Sequence, residues 1–278
     1  MNLIIQGKEI QTSDLKQLAK LSSASGIESI TQQAFRLRDA QIDSNAAIES
    51  YCANVSLDYA FVPEARTFAD FGLLVMDMDS TLITIECIDE IADMIGVKPQ
   101  VAEITESAMQ GEIDFAESLT RRVALLKGLD ESALQRVYDE RLQLSPGAEK
   151  MLATLKQHNI KTLLVSGGFT FFTERLKAKL NLDYASSNTL EIIDGKLTGK
   201  VLGKILDAQG KADALNKLSH ELGLAKHQVI SMGDGANDLK MMAEAGVSIA
   251  YKAKPVVRAQ ATYAISQVGL DGILNLLN

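Results

Sequence analysis

The stretch LLVMDMDSTLI, Leu73 to Ile83, decides the fold. An apolar run ends in two aspartates one residue apart, followed at once by Ser80 and Thr81. Asp-x-Asp alone is too common to mean anything, so its position carries the reading. Alternate residues of an extended chain point to one side, so Asp77 and Asp79 both face one pocket beyond the strand tip. Two carboxylates that close repel unless a cation or a shared proton separates them. A hard cation with oxygen ligands, Mg²⁺, meets that need and leaves room for waters and a substrate phosphate.

From Phe71 onward, short β-rich runs alternate with helical patterns. Strands are predicted in GLLVMD, KTLLVS, LDYASS, QVISMG, VSIAY and TYAIS, and helices in SPGAEKMLATLKQH, TFFTERLKAKL and GKADALNKLSHELG. This alternation predicts an α/β fold, a Rossmann-like three-layer doubly wound parallel sheet. Ligands of such sheets bind outside the carboxyl ends of the strands. The polar residues that end each apolar run are therefore the candidates.

Two insertions interrupt the pattern. Residues 87–143 have helical periodicity and no strand, which predicts an inserted helical-bundle cap. TLEIIDGKLTGKVLG, near 188–203, has Asp194-Gly195 between β-like arms, a hairpin signal. The core domain is thus expected over 71–86 plus 144–278. Residues 1–70 read as a small α+β module of βαβαβ order, with ESITQQAFRLR as one strand and SDLKQLAKLSSA as a helix capped by Ser13 or Asp14.

Composition narrows the class. The chain has 278 residues, enough for a core domain with attachments, and a formal charge of -8 that disfavours nucleic acid and anionic membrane as partners. Its two cysteines, Cys52 and Cys87, have no CxxC spacing and read as reduced thiols of a cytoplasmic protein. No basic leader precedes the short apolar start, and no run is long enough to span a membrane.

Further strand ends add to the doublet. In MGDGANDLKMM, Asp234 follows a strand between Gly233 and Gly235, and Asn237 and Asp238 begin a helix. Gly-Asp-Gly alone is a turn; beside the doublet, Asp234 supplies a further metal ligand. Ser166 ends KTLLVS and precedes Gly167, Gly168 and a helix, so a hydroxyl, free N–H groups and a helix start make an anion cradle. Lys211 opens the helix after DAQG, where it would neutralise a carboxylate and a phosphate. A serine nucleophile does not fit, since there is no Gly-x-Ser-x-Gly and the three histidines lie elsewhere. Neither GxxxxGK[ST] nor a helix-opening GxGxxG is present.

DMDST, SGG, the lysine of DAQGK, and GDGAND, in this order, resemble the four motifs of the haloacid dehalogenase-like phosphatase superfamily. ITIECIDEIA and IDFAESLTRRVALLKGL resemble its phosphoserine-hydrolysing branch. The resemblance implies Mg²⁺-dependent hydrolysis of O-phospho-L-serine, the last step of L-serine biosynthesis, by a cytoplasmic enzyme that acts alone or as a homodimer. It implies that Asp77 is the nucleophile and Asp79 the acid/base. Mg²⁺ would be held by the Asp77 and Asp234 carboxylates and the Asp79 carbonyl. Ser166, Gly167 and Lys211 would bind phosphate, with Asn237 near the attacking group and Asp238 in support. Glu86 would pair with the substrate ammonium and Arg122 with its carboxylate, beneath a lid that includes Phe115. On a helix, Phe115, Leu119 and Arg122 share one stripe, which puts an arginine on the inward face. Residues 1–70 would be a partial ACT-like module.

Two other readings stay open at this level. One is a related phosphatase or phosphotransferase acting on another small phosphorylated metabolite. The other is a phospho-accepting receiver domain, whose usual length this chain far exceeds.

Overall fold

The computed structural model describes residues 1–277. Residues at the start of the chain form β1 (Asn2–Gln6), α1 (Thr12–Leu21), β2 (Gly26–Thr31), β3 (Ala34–Arg38), α2 (Asn45–Asn54) and β4 (Asp58–Val62). The order is βαββαβ, not βαβαβ: the stretch expected as one strand is a hairpin turning at Gln32-Gln33. The antiparallel sheet runs β2-β3-β1-β4. Alternation divides its side chains. Leu3, Ile5, Leu37 and Phe61 pack under α1 and α2, whereas Ile4, Ala60 and Val62 face the rest of the protein. The cap of α1 is Gln11, two residues before Ser13, with Asp14 reaching back to the Gln11 N–H.

The second sheet begins with β5 (Leu73–Met76). The cap follows as α3 (Cys87–Met94), α4 (Lys98–Met109), α5 (Phe115–Ala124) and α6 (Ser132–Glu140), a run of helices as predicted from periodicity. The chain returns through α7 (Ala148–Gln157), β6 (Lys161–Phe169), α8 (Thr170–Leu180) and the hairpin β7 (Tyr184–Ile193) with β8 (Lys196–Leu202). It ends with α9 (Ala208–Glu221), β9 (Val229–Gly233), α10 (Leu239–Glu244), β10 (Val247–Tyr251), α11 (Pro255–Arg258) and β11 (Tyr263–Ile265).

The seven strands lie in the order β11-β10-β9-β5-β6-β7-β8, parallel except for the antiparallel edge strand β8. Both faces are covered, so the central strand β5 is apolar and buried throughout. Leu73 and Val75 face α9 and α10 with Leu215 and Met241, while Leu74 and Met76 face the opposite layer with Met151 and Leu155. Ile91, Val101, Leu119 and Val137 of the cap helices belong to the same buried cluster as that second layer. Two linkers join cap to core, and they pair: Thr84 N donates to Gln143 O at 3.0 Å and Ser145 N to Leu82 O at 2.9 Å.

The first sheet is bound to the second. Asp58, buried at the start of β4, accepts from Ser266 N at 2.9 Å and Gln267 N at 2.8 Å, just beyond β11. Tyr263 on β11 donates to Phe61 O at 3.3 Å. No helix among the described residues is long and apolar enough to cross a membrane.

Candidate active site

Asp234 and Asp77 directly follow the ends of the neighbouring strands β9 and β5, and Ser166 lies toward the same end of β6, the next strand in the sheet. The parallel arrangement brings these ends to one rim, where α9 delivers Lys211. Asp207 caps α9 by accepting from Gly210 N at 2.8 Å, which fixes the first turn that carries the lysine. Lys211 is only 1% exposed. Its ammonium donates to Asp77 Oδ1 at 2.6 Å and Asp238 Oδ1 at 2.8 Å. Burial alone would lower its pKa, but Asp238 and Asp77 outweigh that and raise it. The lysine is held charged.

Beyond β5 the chain makes one wide turn over Met78–Leu82, closed by Ile83 N donating to Met78 O at 3.0 Å. Ser80 adopts left-handed geometry there, φ 56°, uncommon for a residue with a side chain. Its hydroxyl donates to Glu86 Oε1 at 2.6 Å, a bond this turn makes reachable. Asp79 accepts from Cys87 N, at the start of α3, at 2.9 Å. Its other oxygen accepts from Ser166 Oγ at 3.3 Å. Burial pushes Asp79 up, with Cys87 and Lys211 pulling the other way.

The Ser166-Gly167-Gly168 segment is not the free loop into a helix that was expected. β6 continues through Phe169, with three residues opposite one of β7, and α8 starts only at Thr170. This bulge lifts Ser166 and the glycines out of the ladder. Gly168 N is taken by Ser166 Oγ at 2.8 Å. Asn188 on β7, 2% exposed, holds the segment from below. Its amide donates to Gly167 O at 2.8 Å, and its oxygen accepts from Leu206 N at 2.7 Å, in the loop leading to α9. Sequence reading missed Asn188, because it lies inside a hairpin pattern with no motif of its own.

Asp77, Asp234 and Asp238 each offer an oxygen, all within 4.8 Å of one another. Asp238 is engaged by Lys211 and by Gly235 N at 3.1 Å; Gly233 is obligatory beneath it, since a Cβ there would lie 2.4 Å from Asp238 Cγ. Burial, then Asp238, pushes Asp77 well above the usual carboxylate range. The same two causes push Asp234 up to about 6. One lysine thus leaves the acidic cluster short of positive charge, and a hard divalent cation with oxygen ligands fits that shortage. The Asp79 side chain lies outside this group of three.

The cap supplies the remaining candidates. Glu86 has accessible atoms along the cleft, yet its carboxylate is crowded by protein, so burial and then Asp79 push it up to about 7. Arg122 is half-buried on the inner stripe of α5, while its neighbour Arg121 is exposed and paired with Glu117. Burial works against the Arg122 charge, with Asp89, Glu86 and Asp79 offsetting it in that order. Phe115, at the start of α5, reaches the core: a Cβ on Gly167 would lie 2.8 Å from its Cζ. Asn237 is brought less close; it is exposed, with its side-chain oxygen folded over Gly235.

A family model described as haloacid dehalogenase-like hydrolase matches residues 71–246, and the chain belongs to that family. A second model, a domain of unknown function named DUF4072, matches residues 3–48. Within the hydrolase family, the chain belongs with the phosphoserine phosphatases. It is 53% identical over 214 residues to the phosphoserine phosphatase of Polaromonas sp., covering 75% of this chain and 91% of that relative. It is similar to the crystal structure of a probable phosphoserine phosphatase from Vibrio cholerae, with TM-score 0.87, 42% identity, and coverage of 99% and 86%. A phospho-aspartyl intermediate analogue of phosphoserine phosphatase matches with TM-score 0.70 and 39% identity over 75% of this chain and 99% of that one.

Proposed function

We propose that this chain hydrolyses O-phospho-L-serine to L-serine and phosphate in the cytoplasm, with Asp77 as nucleophile and Mg²⁺ as cofactor. One observation carries the substrate reading. Glu86 and Arg122 lie near enough to the acidic rim to feel Asp79 and each other, one charge for an ammonium and one for a carboxylate.

Asp77 attacks phosphorus, and the bond from phosphorus to the seryl oxygen breaks. Asp79 gives its proton to that oxygen as serine leaves; its raised pKa is the direction a general acid needs. Asp79 then takes a proton from water as water attacks the aspartyl-phosphate, which releases phosphate and restores Asp77. Lys211 fixes the rotation of the Asp77 carboxylate through Oδ1 and, with Ser166 and the Gly167 backbone, answers the spread negative charge of the transferring group. Phe115 closes over the glycines and excludes water. Asn237 flanks the attacking group, and Asp238 holds Lys211 in place. The Asp77 and Asp234 carboxylates and the Asp79 carbonyl would hold Mg²⁺, which offsets repulsion between nucleophile and phosphate.

The test compares kcat/KM for L-phosphoserine with phosphothreonine, phosphoethanolamine and sugar phosphates in the presence of Mg²⁺. Preference for phosphoserine that weakens in Glu86→Gln and Arg122→Ala supports the proposal. Equal or better turnover of a substrate lacking the amino or carboxyl group overturns it.

A further inference from the structure

The reaction above leaves two polar members of DMDST without a task, Ser80 and Thr81, and Thr81 is the one that bonds the acidic cluster. It is fully buried, so its hydroxyl needs a protein partner, and it donates to Asp234 Oδ1 at 3.3 Å. Its carbonyl is engaged on the other side, accepting from Ser145 Oγ at 2.6 Å. Ser145, itself 4% exposed, belongs to the second of the paired linkers between cap and core. The two linkers touch along Ile83 and Leu144 as a short antiparallel bridge. One residue therefore bonds the cap hinge through its backbone and the acidic pocket through its side chain.

We propose that Thr81 is a positioning residue for Asp234, and that Ser145 sets its placement, so that the cap hinge and the cation pocket are built as one unit. The inference rests on reading Asp77 and Asp234 as cation ligands. Several neighbours push on Asp234: the Asp238 carboxylate repels it, while Lys211 and Lys254 draw it. A hydroxyl that donates to one oxygen limits the carboxylate to the rotations that keep that bond. Thr81→Val conserves shape and removes the donor. It leaves Asp234 free to turn and raises the cost of ordering it around a cation. Hydrogen-bond partners of metal ligands commonly change metal affinity by at least about tenfold.

The experiment is Mn²⁺ binding to the full, chelator-treated chain, read by electron paramagnetic resonance of the free ion. Mn²⁺ serves as the probe because it takes the same oxygen ligands as Mg²⁺. Melting temperature and circular dichroism check the fold of each variant. Thr81→Val is expected to raise the Mn²⁺ dissociation constant about tenfold. Thr81→Ser, which keeps the hydroxyl, returns it to within about twofold of wild type, and Ser145→Ala raises it about two- to threefold. If Thr81→Val does not fold, Thr81→Ala carries the same comparison. Wild-type affinity in the folded Val or Ala variant overturns the proposal, and wild-type affinity in Ser145→Ala overturns its hinge half. Absence of Mn²⁺ binding in the wild type overturns the cation reading itself.

Discussion

Phe115 and Gly167 meet across the boundary between cap and core, so closely that a Cβ on the glycine would lie 2.8 Å from the ring. The Gly167 backbone and the Phe115 ring are thus fitted to each other, and the absence of a side chain at 167 is part of the fit. Gly167→Ala is expected to lower kcat/KM for phosphoserine by at least about tenfold, since either the ring or the strand bulge must shift. Phe115→Leu in the same chain should recover part of that loss. Steady-state kinetics of the two single variants and the double variant check it; strictly additive losses would mean that the two residues do not clash.

Asp77 sits in a site with more acid than base, and its raised pKa means that its charge destabilises the folded chain at neutral pH. Asp77→Asn should therefore melt higher than wild type in chelator, while phosphate release falls at least about a thousandfold. Lys211→Ala should behave oppositely in stability. It strands Asp77 and Asp238 without their shared ammonium and costs about 3–5 kcal/mol. Thermal melts with and without Mg²⁺, beside a phosphate assay, separate the two outcomes.

Glu86 gives the pH dependence. Its folded pKa is raised to about 7, so the charge that would hold the substrate ammonium grows as pH rises through that value. KM for phosphoserine should fall between about pH 6 and about pH 8. Glu86→Gln should flatten this dependence, and comparing the two cancels the titration of the substrate phosphate itself. For stability the sign is reversed. A raised carboxyl stabilises the fold below its ordinary range and loses that contribution as pH climbs through about 7. Glu86→Gln should thus melt higher than wild type on the alkaline side in the absence of substrate.

Asn188 ties Gly167 to Leu206 and so joins the Ser166–Gly168 bulge, where phosphate binding is proposed, to the loop that presents Lys211. Asn188→Ala leaves a buried carbonyl and a buried N–H unpaired, at about 2 kcal/mol or more. Inhibition by inorganic phosphate should weaken in the same variant. Retained phosphate affinity alongside lost stability would assign Asn188 to packing alone.

What the sequence disclosed follows from distance along the chain. Asp77, Asp79, Ser166 and Asp234 were legible because strands announce themselves as apolar runs, and a polar residue ending such a run in a parallel sheet lies at the rim. Arg122 came from the family resemblance, to which its stripe on α5 only lent support. The bonds from Thr81 to Asp234, from Cys87 to Asp79 and from Asn188 to Leu206 cross between segments that no local pattern links. The β2–β3 hairpin was missed for a different reason. Its turn residues, Gln32 and Gln33, are neither Gly, Asn nor Asp, and neither has positive φ, so the usual turn signal is absent. The extension of β6 was hidden because two glycines read as loop.

The grip of Asp58 on the backbone beyond β11 makes the first seventy residues a fixed side wall of the hydrolase. One face of their sheet is sealed against that neighbour and the other lies under α1 and α2, so a newcomer can approach only the open rim at β2 or the outer surface of the two helices. β11 stands just two places from β9 in the second sheet, and β9 carries Asp234 at its tip. The wall and the acidic pocket are thus attached to one sheet, with the single strand β10 between their points of attachment.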